Sequence, residues 1–262
     1  MTRTVKVVIE ERGHVLLIGL NRPEKYNAFD RDTWHEVARA YKLLESNKDL
    51  RCGLVYANGK HFTAGLDLPE WTDVFSSGEW PDIPADECDP LGLRPEHRCR
   101  KPIVMAIHGI CYTIGIELAL GAEVRVCGRS ARFGQIEVKR GIIACGGATV
   151  RMVQEFGYAN AQRYLLTGDE FDAETALRIG MVQEVVDDEK VFETGLALAT
   201  NIAAQAPLAV QASLESSRSY LLNGMDECAR LVAREVPLMK SEDAAEGVAS
   251  FKERRQAVFK GR

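Results

Sequence analysis

An almost wholly apolar segment, "PIVMAIHGICYTIGIELAL" at residues 102–120, constrains the fold more than any other part of this chain. Its first half is predicted to be a buried strand, and the helix that follows carries a single carboxylate, Glu117. The residues three or four positions away on that helix cannot pair with a charge: they are Thr113, Ile114, Leu120 and Gly121. An ionised group in such surroundings costs several kcal/mol unless it is paired, hydrated or protonated. Either this helix faces a pocket, or Glu117 is out of place.

Strand and helix patterns alternate over about the first 130 residues, and helical patterns dominate after Gly146. The opening segments "VKVVIEE" and "HVLLIGL" flank an Arg12-Gly13 turn and are predicted to form a hairpin. Further strands are predicted at "CGLVYA", "PIVMAIHG", "EVRVCG" and "ARF". The first helix is predicted to begin with a capping box formed by Thr33 and Glu36. These patterns indicate an α/β core followed by a helical C-terminal segment.

Length and composition narrow the class of protein. A chain of 262 residues that is 46% hydrophobic suits one large domain, or a domain with a helical appendage. The net charge of -5 argues against nucleic acid as a partner, and no apolar run reaches the roughly 18 residues of a membrane span. The charged N-terminal stretch does not resemble a secretion signal. Seven cysteines without a CxxC motif are expected to be reduced thiols in a cytoplasmic protein.

Residues 74–95 lose all periodicity and contain four prolines. Segments of this length inside a compact domain are usually lids or binding loops, or else mobile. Cys88 and Cys99, with Asp89 and His97 nearby, could be imagined as a metal site. Their spacing matches no zinc pattern, so we expect no metal here.

A second isolated carboxylate, Glu137, follows in "ARFGQIEVKRG", again among mostly apolar neighbours. Two carboxylates in poorly hydrated sites suit general acid–base catalysis, because burial raises the carboxyl pKa and lets one group hold a proton while the other accepts one. The sequence alone does not show that Glu117 and Glu137 meet in space. For any single glutamate, an exposed or paired side chain is the ordinary expectation.

The segment "GKHFTAGLDL" predicts a tight turn after an apolar strand, with Gly65 permitting the turn and Asp67 able to begin the next helix as its N-cap. Such a turn leaves amides near Leu66 without a secondary-structure partner, and the helix that starts at Ile114 offers a second set. Two of these amides converging on one oxygen would form an oxyanion hole. The alternative for either motif alone is an ordinary strand-to-helix turn.

Four segments, "NRPEKYNAF", "FTAGLDL", "PIVMAIHGICYTIGIELAL" and "ARFGQIEVKRGIIACGG", occur in an order and spacing that resemble the crotonase, or enoyl-CoA hydratase/isomerase, superfamily. The resemblance covers nearly the whole chain. It implies a crotonase-like α/β spiral of ββα turns over residues 1–200, followed by a helical region at 201–262 that forms a homotrimer or a dimer of trimers. It also implies that the substrate is an acyl-CoA thioester and that no metal or redox cofactor is required.

The resemblance assigns roles to individual residues. It places an oxyanion hole on the backbone amides of Leu66 and Ile114, and the two catalytic glutamates of the hydratases at Glu117 and Glu137. In the reaction it implies, Glu117 deprotonates a water that adds to the β-carbon of a 2-enoyl-CoA, and Glu137 protonates the α-carbon on the same face. It implies contacts with coenzyme A at Lys25, Ala28, Ala64, Asp67, Leu68, Phe251 and Arg254. The last two match positions that reach a neighbouring subunit's coenzyme A, for which the alternative is a solvated basic helix end.

The chain departs from the family pattern at three places. Thr113-Ile114-Gly115 replaces a glycine run, so Ile114 adds bulk beside the thioester carbonyl; the open alternatives are a narrower acyl pocket, a shifted thioester or a changed reaction. Cys145 stands where the related dienoyl-CoA isomerases carry an aspartate, which disfavours that isomerase. The insertion at residues 76–95 is expected to cover the acyl pocket with side chains such as Trp80, Ile83 and Leu91.

The resemblance leaves the reaction open, because one fold supports many chemistries. The first hypothesis is hydration of a 2-enoyl-CoA by a lyase. The alternatives are a double-bond isomerase or another enolate-forming enzyme that uses one glutamate, and an acyl-CoA-binding protein with weak catalysis.

Overall fold

The computed structural model describes residues 5–77 and 82–262. The strands are β1 (Val7–Arg12), β2 (Val15–Leu20), β3 (Cys52–Ala57), β4 (Ile103–Ile107), β5 (Ile110–Tyr112), β6 (Val124–Gly128), β7 (Arg132–Gly134), β8 (Glu170–Asp172) and β9 (Glu184–Val186). The α-helices are α1 (Arg31–Ser46), α2 (Thr72–Ser77), α3 (Ile114–Gly121), α4 (Ala148–Phe156), α5 (Tyr158–Thr167), α6 (Ala173–Ile179), α7 (Val191–Ala203), α8 (Pro207–Asn223), α9 (Leu231–Met239) and α10 (Glu242–Glu253). Short 3-10 helices occur at Pro23–Lys25, Leu68–Trp71, Pro95–His97, Glu137–Arg140, Asp188–Lys190 and Gly224–Arg230.

The strands of the described residues form two sheets. The larger has the order β1-β2-β3-β4-β6-β9, and the smaller has the order β5-β7-β8. The predicted β1–β2 hairpin is antiparallel, with Gly13 at φ +60° in its turn. From β2 onward the large sheet is parallel. In the pair of β2 and β3, the register runs from Val15 opposite Cys52 to Leu20 opposite Ala57. The predicted α/β core is therefore confirmed.

The parallel sheet is covered on both faces, and this explains why its strands are continuously apolar. Every residue of β2 and of β4 is buried. One hydrophobic cluster includes α1, α3 and α4, and a second lies between the sheet and α7. Gly195 of α7 faces the sheet at a distance where a Cβ would lie 3.0 Å from side chains of Leu54 and Ala106. The absence of a side chain there lets α7 pack directly onto β3 and β4.

Two local predictions are corrected by the structure. Helix α1 is capped by Asp30, whose carboxylate accepts hydrogen bonds from the Thr33 amide (2.9 Å) and hydroxyl (2.8 Å). The predicted capping box of Thr33 and Glu36 is wrong, because Glu36 instead accepts the amides of Lys6 (3.1 Å) and Val7 (2.9 Å) and so ties α1 to β1. The strands β5, β8 and β9 were not predicted, since three residues are too few to show a periodicity.

Beyond Gly146 the described chain is mainly helical, as predicted, although β8 and β9 interrupt the helices. The predicted boundary between residues 200 and 201 falls inside α7, and the division into two regions stays a prediction. No helix in the described residues combines the length and apolar character needed to cross a bilayer.

The proline-rich segment lacks regular structure from residue 82 to residue 94 but is tied down by polar contacts. The buried carboxylate of Asp89 accepts the amides of Leu91 (2.9 Å), Leu93 (2.8 Å) and Arg94 (3.1 Å). Asp89 therefore organises a loop. The described residues contain no group of metal-binding side chains around it. Trp80, predicted to cover the pocket, lies outside the described residues.

Candidate active site

Two turns of the chain are locked together beside the large sheet: the segment after β3 and the start of α3. Thr63 donates its amide to the Ile110 carbonyl (3.0 Å), and the Tyr112 amide donates to the Thr63 carbonyl (3.1 Å). Gly65, at φ +105°, approaches Thr113 so closely that a Cβ would lie 2.3 Å from the threonine Oγ1. Only glycine fits both this backbone angle and this spacing. The contact sets Leu66 and Ile114 next to each other in space.

The backbone amides of Leu66 and Ile114 are both available to a ligand. Phe29 pairs with Leu66 in a parallel bridge, donating to the Gly65 carbonyl (2.8 Å) and accepting from Asp67 (2.9 Å). In this pattern the amide of Leu66 itself points away from Phe29. Ile114 is the first residue of α3, so its amide has no partner within the helix. Within residues 5–77 and 82–262, neither amide donates to a backbone carbonyl.

A cavity of about 810 Å³ opens between the turn after β3, the loop at 82–94 and the segment at 136–146. Both predicted oxyanion residues and both predicted acids, Glu117 and Glu137, line it. Most of the remaining wall is apolar: Trp34, Leu68, Trp71, Ile83, Leu91, Leu93, Ile136, Ile142 and Ile143. The structure thus brings the four residues together, and Ile83 and Leu91 cover the cavity as expected.

Glu117 lies in the first turn of α3 and is 5% exposed. Its Oε1 accepts the amide of Ala148 at 3.4 Å. Gly146 lies flat against the carboxylate, since a Cβ there would be 2.3 Å from Oε2. Burial raises the pKa of Glu117, and this is opposed by the amides of Ala148 and Gly146 and by the positive charge of Arg151. Helix α3 therefore faces a pocket, and Glu117 is not out of place.

Glu137 begins the 3-10 helix Glu137–Arg140, directly after the strand β7 and a short turn, and is 9% exposed. Gln135 donates from Nε2 to Glu137 Oε1 at 2.9 Å, while Oε2 is buried without a hydrogen-bond partner in the described chain. Burial raises the pKa of Glu137 to about 7, with a further contribution from the charge of Glu117. The two carboxyl groups are therefore within electrostatic reach of each other, and Glu137 can hold a proton at neutral pH.

The predicted coenzyme A positions fall into three groups. Ala64 and Leu68 line the cavity. Lys25 and Ala28 belong to the neighbouring turn. The amide of Ala64 joins the two segments by donating to the Tyr26 carbonyl of that turn (3.0 Å).

Asp67 precedes the 3-10 helix Leu68–Trp71 but makes no side-chain capping bond. Asp67 therefore takes the predicted N-cap position, but its side chain does not cap the helix. Its carboxylate instead pairs with Arg22, at 2.7 Å between Nη1 and Oδ2.

Phe251 and Arg254 lie at the end of α10, away from the cavity lining. Phe251 is 85% exposed, and Arg254 ends the helix with φ +55°. The single chain does not bring them to the other site residues. Their predicted contact with a neighbouring subunit's coenzyme A stays a prediction.

Three residues that shape the acids escaped the sequence reasoning: Gln135, Gly146 and Arg151. Gln135 could have been suspected, because an amide two residues before a catalytic candidate on a short turn can reach it. Arg151 carries no such signal. Its guanidinium donates to the carbonyl of Leu91 (2.6 Å), sixty residues earlier in the chain. Its positive charge also opposes the rise in the pKa of Glu117, which lies thirty-four residues earlier.

The sequence model of the family "Enoyl-CoA hydratase/isomerase" matches residues 10–262. The chain belongs to this family. A crystal structure of a probable enoyl-CoA hydratase/isomerase from Mycobacterium abscessus is 41% identical, superposes with a TM-score of 0.94, and covers 98% of this chain and 99% of its own. Among curated relatives, an enoyl-CoA hydratase of Mycobacterium tuberculosis is 33% identical over 97% of this chain and 96% of its own length. A carnitinyl-CoA dehydratase of Citrobacter koseri is 34% identical over 95% and 96%.

Family membership confirms the predicted crotonase-like α/β fold, and it supports an enzyme that acts on a coenzyme A thioester. The family description spans both hydratases and isomerases, so the reaction of this member has to be argued from its own cavity.

Proposed function

We propose that this protein is an enoyl-CoA hydratase that adds water to a 2-enoyl-CoA thioester. The observation that carries the proposal is the pair of buried carboxyl groups, Glu117 and Glu137, lining one cavity and interacting electrostatically. Hydration needs two proton transfers, one from water and one to carbon, and two carboxyl groups can serve both. A double-bond isomerase also makes two proton transfers, but one carboxyl group can serve both, because it can return to one carbon the proton that it removed from another.

The amides of Leu66 and Ile114 would bind the thioester oxygen. Both are free of backbone acceptors within the described residues, and both belong to segments held together by the Gly65–Thr113 contact. Donors fixed in advance stabilise negative charge that develops on an oxygen, because they need no reorganisation during the reaction. Their pull on the carbonyl leaves the β-carbon electron-poor and stabilises the enolate formed after water attacks.

Glu117 would act as the base. Its carboxylate keeps two amide contacts and the influence of Arg151, all of which favour the charged form against burial. It would take a proton from a bound water as the water oxygen bonds to the β-carbon. Glu137, with a pKa of about 7 and a free Oε2, would carry the proton delivered to the α-carbon. Glu117 gains one proton from water while Glu137 loses one to the α-carbon, so the protons balance. The two carboxyl groups have then exchanged protonation states, and proton exchange with solvent restores the starting states.

The hydratase assay follows the loss of the enoyl-thioester absorbance on adding a panel of 2-enoyl-CoA esters. Glu117→Gln and Glu137→Gln should each lower kcat by about a hundredfold or more, the usual contribution of a general acid or base. The exposed Glu174→Gln on α6 is a matched control and should leave kcat unchanged. Full activity in either acid variant would refute the two-carboxylate mechanism.

The same panel, with 3-enoyl-CoA esters added, tests the alternatives. Double-bond migration without hydration, lost in only one of the two variants, would identify an isomerase. Binding of the esters without any reaction would identify an acyl-CoA-binding protein.

We further propose assembly into a homotrimer or a dimer of trimers. The C-terminal helices carry exposed apolar side chains that a partner subunit would cover: Tyr220, Leu221, Leu231, Val232, Val236 and Met239. Sedimentation velocity should give a mass near three or six times 29.0 kDa. A monomer at micromolar concentration would contradict the proposal.

A further inference from the structure

Two arginines, Arg94 and Arg140, belong to the lining of the otherwise mainly apolar cavity, and both are exposed. Neither has an ion-pair or hydrogen-bond partner for its side chain among the described residues. Besides the two predicted acids, the lining contains one further carboxylate, that of Asp89. That group already accepts three backbone amides. The two arginine side chains therefore bring positive charge to the cavity without a direct partner of their own, in a lining that also holds the carboxyl groups of Asp89, Glu117 and Glu137.

Both arginines are attached to fixed backbone. The amide of Arg94 donates to Asp89 (3.1 Å), and the loop before it is anchored by the buried carboxylate of Glu87, which contacts His35 (2.9 Å) and Arg39 (3.1 Å) on α1. Arg140 ends the 3-10 helix that Glu137 begins. Gly141, at φ +76°, closes that turn by donating its amide to the Val138 carbonyl (3.3 Å). Guanidinium groups supported in this way favour binding of planar anions such as carboxylates.

The two charges lie away from the reacting atoms. Residues three apart on a 3-10 helix share a face, so Glu137 and Arg140 both face the cavity. Arg94 and Arg140 are exposed, whereas Glu117 and Glu137 are only 5% and 9% exposed, so the arginines lie on the solvent side of the cavity and the acids at its buried end. An anion held by the arginines would therefore be separated from the thioester carbon by several bonds.

The arginines also belong to different walls from the predicted coenzyme A contacts. Ala64 and Leu68 are on the wall after β3, whereas Arg94 is on the 82–94 loop and Arg140 follows Glu137. Coenzyme A phosphates carry the same kind of charge, but they would be expected on the first wall. The acyl chain would extend between the other two.

We propose that Arg94 and Arg140 bind an anionic group on the far part of the acyl chain, so that the preferred substrates are 2-enoyl-CoA esters ending in a carboxylate. This inference rests on the proposed function for the reacting end of the substrate, but its test is designed to be independent of turnover.

The first measurement is binding of two saturated esters of equal chain length, hexanoyl-CoA and adipoyl-CoA, by calorimetry. They differ in the terminal carboxylate of adipoyl-CoA. The natural chain should bind adipoyl-CoA at least about tenfold more tightly, which corresponds to one charge-assisted contact at a partly exposed site. Arg94→Gln and Arg140→Gln should each reduce that ratio, and the double variant should abolish it. Affinity for hexanoyl-CoA should not change. Arg178→Gln, an exposed arginine of α6, is the control and should keep the ratio.

The second measurement compares kcat/KM for hex-2-enoyl-CoA and for the 2-enoyl ester that ends in a carboxylate. The same preference, lost in the double variant, is expected. Equal affinity of the natural chain for the two saturated esters would overturn the inference. Equal weakening of both by the arginine substitutions would also overturn it, because it would assign the arginines to the coenzyme A phosphates. If adipoyl-CoA is preferred but no enoyl ester is hydrated, the anion site stands and the hydratase proposal fails.

Discussion

Replacing Glu137 by glutamine is expected to stabilise the folded protein at alkaline pH while it lowers kcat by about a hundredfold or more. The pKa of this buried carboxyl rises from the ordinary value of 4.5 to about 7, first because of burial and then because of the nearby charge of Glu117. Between these two values the folded chain holds a proton that the unfolded chain has released. The folded state is therefore disfavoured progressively as the pH rises through this window.

The magnitude follows from the size of the rise. About 2.5 pKa units at about 1.4 kcal/mol per unit give a cost on the order of 3 kcal/mol above pH 7 and none below about pH 4.5. Glutamine has nearly the same shape and no charge, so it avoids this cost. The Gln135 amide, which donates to Glu137 Oε1, can still donate to the new side-chain carbonyl.

Urea unfolding at pH 5 and at pH 8, followed by circular dichroism, measures the effect. The free energy of unfolding of Glu137→Gln should exceed that of the natural chain by about 3 kcal/mol at pH 8, and by much less at pH 5. The exposed Glu174→Gln is the matched control for the substitution itself. If Glu137→Gln and the natural chain keep the same difference at both pH values, the carboxyl is not held protonated and its role as proton donor loses its physical basis.

Three further outcomes test the geometry of the site. Gly65→Ala should reduce both stability and activity, because its Cβ would clash with Thr113. Gly13→Ala introduces the same kind of backbone strain but meets no neighbouring atoms, so it should reduce stability by about 1 kcal/mol and keep activity. Equal activities of the two variants would contradict the packing argument. Gly146→Ala should lower kcat with little change in KM, because its Cβ would displace the Glu117 carboxylate; unchanged kcat would contradict this. Cys145 lines the cavity with a pKa raised first by burial and then by the charge of Glu117, so iodoacetamide should label it faster in Glu117→Gln; mass spectrometry of the labelled peptide checks the rate, and equal rates would contradict it.

The candidate site residues could be singled out in the sequence because each is unusual in its surroundings. Glu117 and Glu137 stand in apolar segments, and Leu66 follows a glycine that an ordinary strand end does not need. Their convergence was not visible from the residues alone. It depends on the pairing of β5 with the segment around Thr63, which involves only two or three residues on each side. Such short pairings leave no periodic pattern to read.

The groups that tune the acids were harder to predict for a different reason. Arg151 and Gly146 act on Glu117 through contacts set by where α4 begins, and nothing in either residue's own neighbourhood indicates a partner some thirty residues earlier. The predicted cap of α1 was wrong for the same reason. Asp30 and Thr33 satisfy the helix start by themselves, which frees Glu36 to bind β1. Local patterns identified candidate polar groups, but tertiary packing decided their partners.

Thr113 and Ile114 stand where the family resemblance implies a glycine run, and their backbone geometry shows how the two segments still meet. Thr113 has φ +50°, a region that costs a residue other than glycine about 1–3 kcal/mol. Its side chain occupies the space that a Cβ on Gly65 would need, so the two segments keep their close approach through one glycine instead of several. Ile114 remains the first residue of α3, and its amide orientation depends on the backbone and not on its side chain. Ile114 therefore keeps the amide of the proposed oxyanion donor at the helix start while its side chain adds apolar bulk to the cavity wall, and we expect it to affect which acyl groups fit more than how the carbonyl is activated.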